Sequence, residues 1–349
     1  ASGFLGTLTA SAATNTATTF TAKAAVGTLT GGASGDTFTI GSTANFLNAS
    51  VGIVAGGDGS DTLNVFAGGS SFDLDGVTAV ETINITFDDV AGFNIGAGGG
   101  SDATITAATV TYAGGKSGEV YGSGTTGVLT DVAGRVIDAS DLLGSIEVTF
   151  GDDALVVTNA SDSVTITGGQ SAVDVVNLVM TNSNTGTFTM SGVETLKAGN
   201  ITGTSTIDLT NVTGLTGITL HNSAGTGKDF VISKMAADTD ITLGVSGTTI
   251  FKTQKVDIDL ADATGTSDTV TVNLADTDST TTVATIDFDA IETLTLALAN
   301  TSEGHNVALE NNLTASTVVV TGTHVDADLI LSSIEAGITT VNASGLAGE

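Results

Sequence analysis

Apolar and polar residues alternate with period two along this chain, most clearly in Thr82–Phe87 (TINITF), Ser163–Ile166 (SVTI), Thr269–Leu274 (TVTVNL) and Thr293–Leu298 (TLTLAL). Such alternation marks strands with one buried face. Their Val, Ile and Thr are residues that pleated structure favours. Gly, Asn, Asp and Ser interrupt the strands at short intervals, as turns require. Proline sharpens the constraint: the 349 residues contain none, where average usage would give roughly 17. Proline has no N–H to give to a ladder and is confined to sheet edges and bulges. A chain made almost wholly of ladders has little room for it. Disorder is a poor alternative, since disordered chains favour Pro, Glu, Lys and Ser and this one is 40% hydrophobic. Short helical turns are expected only near Val136–Leu143 and Ser233–Ala237.

Residues 56–64 read GGDGSDTLN. This fits the nonapeptide G-G-x-G-x-D-x-U-x of calcium-binding β-repeat turns. Glycines permit the left-handed backbone of such a turn. Carboxylate and carbonyl oxygens are the hard ligands that Ca²⁺ takes. Leu63 points inward as the next strand begins. Echoes of the run occur at Gly31–Phe38 (GGASGDTF) and Ala97–Asp102 (AGGGSD), with weaker ones at Gly169–Asp174 and Gly265–Val270. Asp61 is the leading candidate ligand, with an Asx-type turn cap as the competing structural role.

A second motif, an apolar residue followed by Glu and Thr or Val, recurs at Val80-Glu81, Ile146-Glu147, Val193-Glu194 and Ile291-Glu292, with a degraded copy at Ile334-Glu335. A small residue or Asp usually sits two positions before the apolar one. These glutamates read as outward residues at strand starts whose carboxylates satisfy loop N–H groups. Asp61 precedes Glu81 by 20 residues, Asp174 precedes Glu194 by 20 and Asp268 precedes Glu292 by 24. The copies themselves are irregularly spaced, by 66, 47, 98 and 43 residues, as in a diverged repeat with insertions. The fold expected is therefore all-β: an irregular β-solenoid or β-sandwich repeat with Gly/Asp-rich calcium-binding turns. Lys228, Lys234, Lys252 and Lys255 gather four of the eight basic residues. That local shift marks an insertion or a change of module, and the division expected is into two β-repeat domains, 1–200 and 201–349, with the boundary after the third glutamate motif.

Charge removes some functions. With 38 acidic and 8 basic residues the net charge is -30. Nucleic acid is then an unsuitable partner, and divalent cations are natural counterions. Zero cysteines exclude disulfides and cysteine zinc sites. His221, His305 and His324 lack metal-binding spacing. No apolar run reaches the length of a membrane span. The chain opens at Ala1 with no visible signal peptide, as a processed chain or a fragment would. None of the short catalytic motifs appears, and with aromatics at 4% there is little to line a sugar-binding groove.

These features together resemble the bacterial surface-layer (S-layer) and RTX families. The Gly56–Asn64 run matches the RTX nonapeptide in full. Ala263–Asp268 followed by Ile291–Leu294 is similar to the assembly region of Caulobacter-type calcium-dependent surface-layer proteins. The resemblance implies a secreted protein that assembles into a lattice at the cell surface, with Ca²⁺ driving folding and bridging subunits. Its implied ligands are Asp58 and Asp61, then Asp36 and Asp102, then Asp174 and Asp268. The implied partners are copies of the same chain and cell-surface polysaccharide held through an anchor. One departure matters: the full nonapeptide is single, and the Asp residues of its neighbours lie 25 and 41 residues away. A site at Asp61 would stand alone, or be completed by a distant loop or another subunit. The expected function is that of a structural lattice or filament protein and not an enzyme. The alternatives are an RTX-type adhesin module and a β-helix polysaccharide-active enzyme, the latter requiring a carboxylate cluster that the sequence does not display.

Overall fold

The computed structural model describes residues 7–9, 19–22, 28–41, 53–67, 71–72, 74, 76–87, 93–95, 109–115, 117, 119–122, 128–129, 135–150, 164–179, 185–199, 204–221, 228–244, 254–275, 284–298, 304–310, 316–322 and 329–346. Among these, the regular elements are all strands, in sheets of 4, 13 and 14 strands. Successive strands mostly enter different sheets, and every described pairing is parallel. Thr37–Ile40 pairs with Thr62–Ala67, which pairs with Thr82–Phe87. Ile53–Ala55 lies between the first two in sequence but belongs to another sheet. A chain that returns to the same sheet once per circuit, always in the same direction, is a parallel β-solenoid.

The chain divides into two compact units, residues 1–177 with 189–193, and residues 178–188 with 194–349. In the first unit Phe38, Leu63, Ile83, Val110, Ile137 and Ile166 are successive partners in one column. None of the six is more than 1% exposed. In the second unit Leu196, Ile218, Ile241, Val272, Leu296 and Val320 form an equivalent column. The period-two alternation places these residues inward, and in-register stacking then sets apolar against apolar along both columns. Each contributes about 2 kcal/mol through removal from water. The outward positions are polar, as expected, and they also stack. Asn84 Nδ2 donates to Asn64 Oδ1 at 2.9 Å, and Thr111 Oγ1 donates to Asn84 Oδ1 at 2.7 Å.

Coil length explains the irregular motif spacing. Successive register positions are separated by 18 residues (Thr19 to Thr37) up to 31 (Ile241 to Val272). An Asp-to-Glu step of 20 to 24 residues is thus one coil. The long gaps between glutamate motifs are not insertions in a longer repeat. They are intervening coils with other residues at the same corner, such as Thr216 before Gly217.

Neither expected helical turn forms. Val136–Leu142 lies in strand Arg135–Leu142, and Ser233–Met235 lies in strand Lys228–Met235. Both segments contain a β-bulge. Thr111 and Ala113 face Asp138 and Asp141, and Ile258 and Leu260 face Ile232 and Met235. One extra residue breaks the alternation, and the resulting spacing imitates a helical face.

Four corners, three of them before glutamate motifs and one before Leu215-Thr216, have a common conformation. Ala79, Gly192, Gly214 and Ala290 have φ of 51°, 63°, 87° and 62° and directly precede Val80, Val193, Leu215 and Ile291. The left-handed turn swings each apolar side chain into the core. Alanine is strained there by about 1 kcal/mol. Ala79→Gly and Ala290→Gly are therefore expected to stabilise the protein by up to about 1 kcal/mol each. The check is the midpoint of urea unfolding.

Candidate functional site

At several corners the residue immediately before the strand makes the side-chain contacts between coils. Asp36, Asp61 and Glu81 precede Thr37, Thr62 and Thr82, which are register partners, so the three acids form one column. Each reaches back to the preceding coil or loop. The Asp36 N–H donates to Asp61 Oδ1 at 2.6 Å, and the Asp61 N–H donates to Glu81 Oε2 at 2.7 Å. Asp36 Oδ2 accepts from the Gly32 N–H at 2.6 Å. The pattern returns in the second unit, where the Asp268 N–H donates to Glu292 Oε2 at 2.8 Å. Asp174 accepts twice, from the Ile146 N–H at 2.6 Å and the Gly169 N–H at 2.7 Å. Hydroxyls at this corner do the complementary work. Thr216 Oγ1 donates to the Glu194 carbonyl at 3.2 Å, and Ser316 Oγ to the Ile291 carbonyl at 3.0 Å. Acids thus satisfy N–H groups and hydroxyls satisfy carbonyls between coils. Groups of this kind would otherwise be buried without partners, at a cost of about 1–3 kcal/mol each.

The calcium-turn motif and the glutamate motif are therefore two versions of one corner. The glycines of the former serve the same contact. A Cβ on Gly31 would run into the Gly56 carbonyl oxygen and one on Gly168 into the Gly192 carbonyl oxygen. Those Cβ atoms would also lie 2.5 and 2.7 Å from Oδ2 of Asp36 and Asp174.

The six expected ligands fall in different places. Asp36 and Asp61 meet, and both are buried. Asp58 is exposed, three residues before Asp61. Asp174 is buried and Asp268 half-buried, each at its own corner. Asp102 lies outside the described residues. Asp61 Oδ2 is buried with no hydrogen-bond partner, as is Asp268 Oδ2. Burial pushes the Asp61 carboxyl above its ordinary pKa; the Asp36 N–H opposes this, and the charges of Glu81, Asp36 and Asp58 add to it. Among the described residues no three Asp, Glu or His side chains converge as a metal-binding group. A calcium shell at Asp61 would need main-chain carbonyls, water or a second copy to complete it, all of them ordinary calcium ligands. Two glutamate copies depart from the pattern. Glu147 lies inside a strand and accepts from Asn177 Nδ2 at 2.9 Å. Glu335 follows strand Leu329–Ile334, and its N–H donates to the Leu309 carbonyl.

One cluster escaped the sequence reading. Asp257 and Asp287 are register partners, as are Asp287 and Glu310. Lys255 Nζ lies 2.5 Å from Asp287 Oδ2 and 2.9 Å from Glu310 Oε2. The signal was the alternation of KVDID (255–259) and IDFD (286–289), which places both acids of each segment on the outer face. A separate concavity of about 640 Å³ in the second unit is lined by Leu209, Leu215, Lys234, Asp238 and Ala261 among others, and by none of the expected ligands. Arg135, the chain's one arginine, is 1% exposed and so cannot line a surface cleft. Comparison with protein-family models, curated proteins and solved structures finds no match.

Proposed function

We propose that this chain is an extracellular structural protein that self-assembles coil on coil into a surface lattice or filament, with Ca²⁺ stabilising its folding and its subunit contacts. The observation that carries the reading is the repetition itself: buried columns and acid-capped corners recur from coil to coil, so a coil of one copy has the means to stack on a coil of another. Val341 continues the column of Val318, and Ile334 that of Leu309. Val318 and Leu309 are fully buried, whereas Val341 is 45% and Ile334 43% exposed. Ile330 and Leu346 add further apolar surface. These strands are the last in the order of their sheets, and their exposed apolar residues are what a further coil, of this chain or of another copy, would cover. A stacking surface that meets a different surface on the next copy propagates instead of closing. Calcium fits the same picture through the -30 charge, the exposed Asp58 and the unpartnered Asp61 oxygen. Cation binding at such a site stabilises the folded state by mass action.

Negative-stain microscopy and light scattering, in EGTA and then in millimolar Ca²⁺, test this. Sheets or filaments are expected with calcium and not without it, and Ile334→Lys with Val341→Lys is expected to abolish them. Dispersed monomers in both conditions would overturn the assembly. Monomers that become compact only with calcium would point to the adhesin module instead.

A further inference from the structure

We propose that Asp257 and Asp287 share a proton across neighbouring coils of the second unit, and that this pair tightens the coil stack as the medium becomes mildly acidic. The two residues are register partners on the outer face of one sheet, so their backbones are about 4.8 Å apart. Lysine does not neutralise them equally. Lys255 Nζ is committed to Asp287 Oδ2 and Glu310 Oε2. On its other side Asp257 has Val231 as its register partner. Asp287 Oδ1 is buried and has no hydrogen-bond partner, so it is available to accept from a protonated Asp257. A solvent proton on Asp257 would form an O–H···O bond to that oxygen. It would remove one of two like charges and satisfy a buried acceptor.

The surrounding groups favour protonation. Asp259 lies two residues along on the same strand, and Asp289 two residues beyond Asp287. Strand Lys228–Met235 contributes Asp229, the register partner of Lys255, and carries Lys234 at its bulge. Strand His305–Glu310 contributes Glu310 outward, while His305 is buried. Glu335 follows on the next coil. Burial, then the charges of Asp287 and Asp259, push the Asp257 carboxyl up to about 6; Lys255 opposes this and Asp289 adds to it. Asp287 is also raised, first by burial, against the pull of Lys255.

The sign follows from linkage. An unfolded Asp titrates near 3.9. Between about 4 and about 6 the folded protein binds more protons, so stability climbs as pH falls through that window and is lowest above it. The experiment is a carbon-detected NMR titration of the aspartate carboxyls, with Asp257→Asn assigning the resonance. Thermal unfolding from pH 4.5 to 7.5 is compared for wild type, Asp257→Asn and Asp259→Asn. The expected results are an Asp257 midpoint near 6 and an Asp257→Asn melting temperature above wild type at pH 7.5. The variant is also expected to depend less on pH, while Asp259→Asn, which removes one of the charges that raise the Asp257 carboxyl, falls between it and wild type. An Asp257 midpoint near 4, or equal slopes for wild type and Asp257→Asn, would overturn the proposal. If Asp257→Asn does not fold, Asp257→Ser assigns the resonance and the wild-type titration alone decides.

Discussion

Replacing Gly56 by alanine is expected to destabilise the first unit by about 3 kcal/mol, near the upper end for overpacking. The cause is space and not backbone freedom, because Gly56 is not among the positive-φ residues. A Cβ there would run into the Ala79 carbonyl oxygen of the next coil and lie 2.5 Å from Asp61 Oδ2 and 2.8 Å from its Cγ. Neither obstacle can move cheaply. The carbonyl belongs to the coil-to-coil contact, and the carboxylate is buried and holds the Asp36 N–H. Gly217 supplies the control: its nearest atom to a new Cβ is 4.0 Å away. Gly217→Ala should leave stability within about 0.5 kcal/mol of wild type. Amide hydrogen exchange across Thr62–Ala67 would report the difference locally, which suits a solenoid whose coils interact mainly with their neighbours. Equal protection in the two variants would refute the steric account of this glycine.

Asp174→Ala should cost about 3 kcal/mol, because it strands two donors at once. The Ile146 and Gly169 N–H groups both end on this carboxylate, and Asp174 is fully buried. Asp174→Asn keeps one acceptor and should lose roughly half as much. Calcium distinguishes the two roles of this residue. If capping between coils dominates, the loss measured by urea unfolding persists in EGTA. If Asp174 acts mainly as a ligand, wild type and variant converge once calcium is removed.

Much of the fold was legible because strand signals are local. TVTVNL (269–274) specifies a strand with one buried face whatever surrounds it, and Thr269–Leu274 is that strand, with Val270, Val272 and Leu274 all fully buried. The corner residues were legible in part. Asp61 and Glu81 stood out individually, and the role read for the glutamates, satisfying a loop N–H, is what Glu81 and Glu292 do. Their identity as one column did not stand out, since Thr216 and Ser316 hold the same kind of corner without resembling an acid motif. The two supposed helical turns failed for a definite reason: a bulge adds one residue, and a broken period of two looks like a period between three and four.

The sequence by itself determined the strands, their buried faces, the glycine- and acid-rich corners and the high negative charge, all of which depend on neighbours a few residues apart. Which acids meet was decided only by the tertiary structure. Asp36 meets Asp61 after 25 residues and Asp257 meets Asp287 after 30. Those distances are set by the length of each coil, which varies from circuit to circuit. A slip of one residue in the pairing of a strand would move its outward carboxylates past their partners and turn its core-facing side chains to solvent. The register is held by the buried columns, so the packing of Phe38 on Leu63 and of Val256 on Ile286 determines where the charges on the outer face come together.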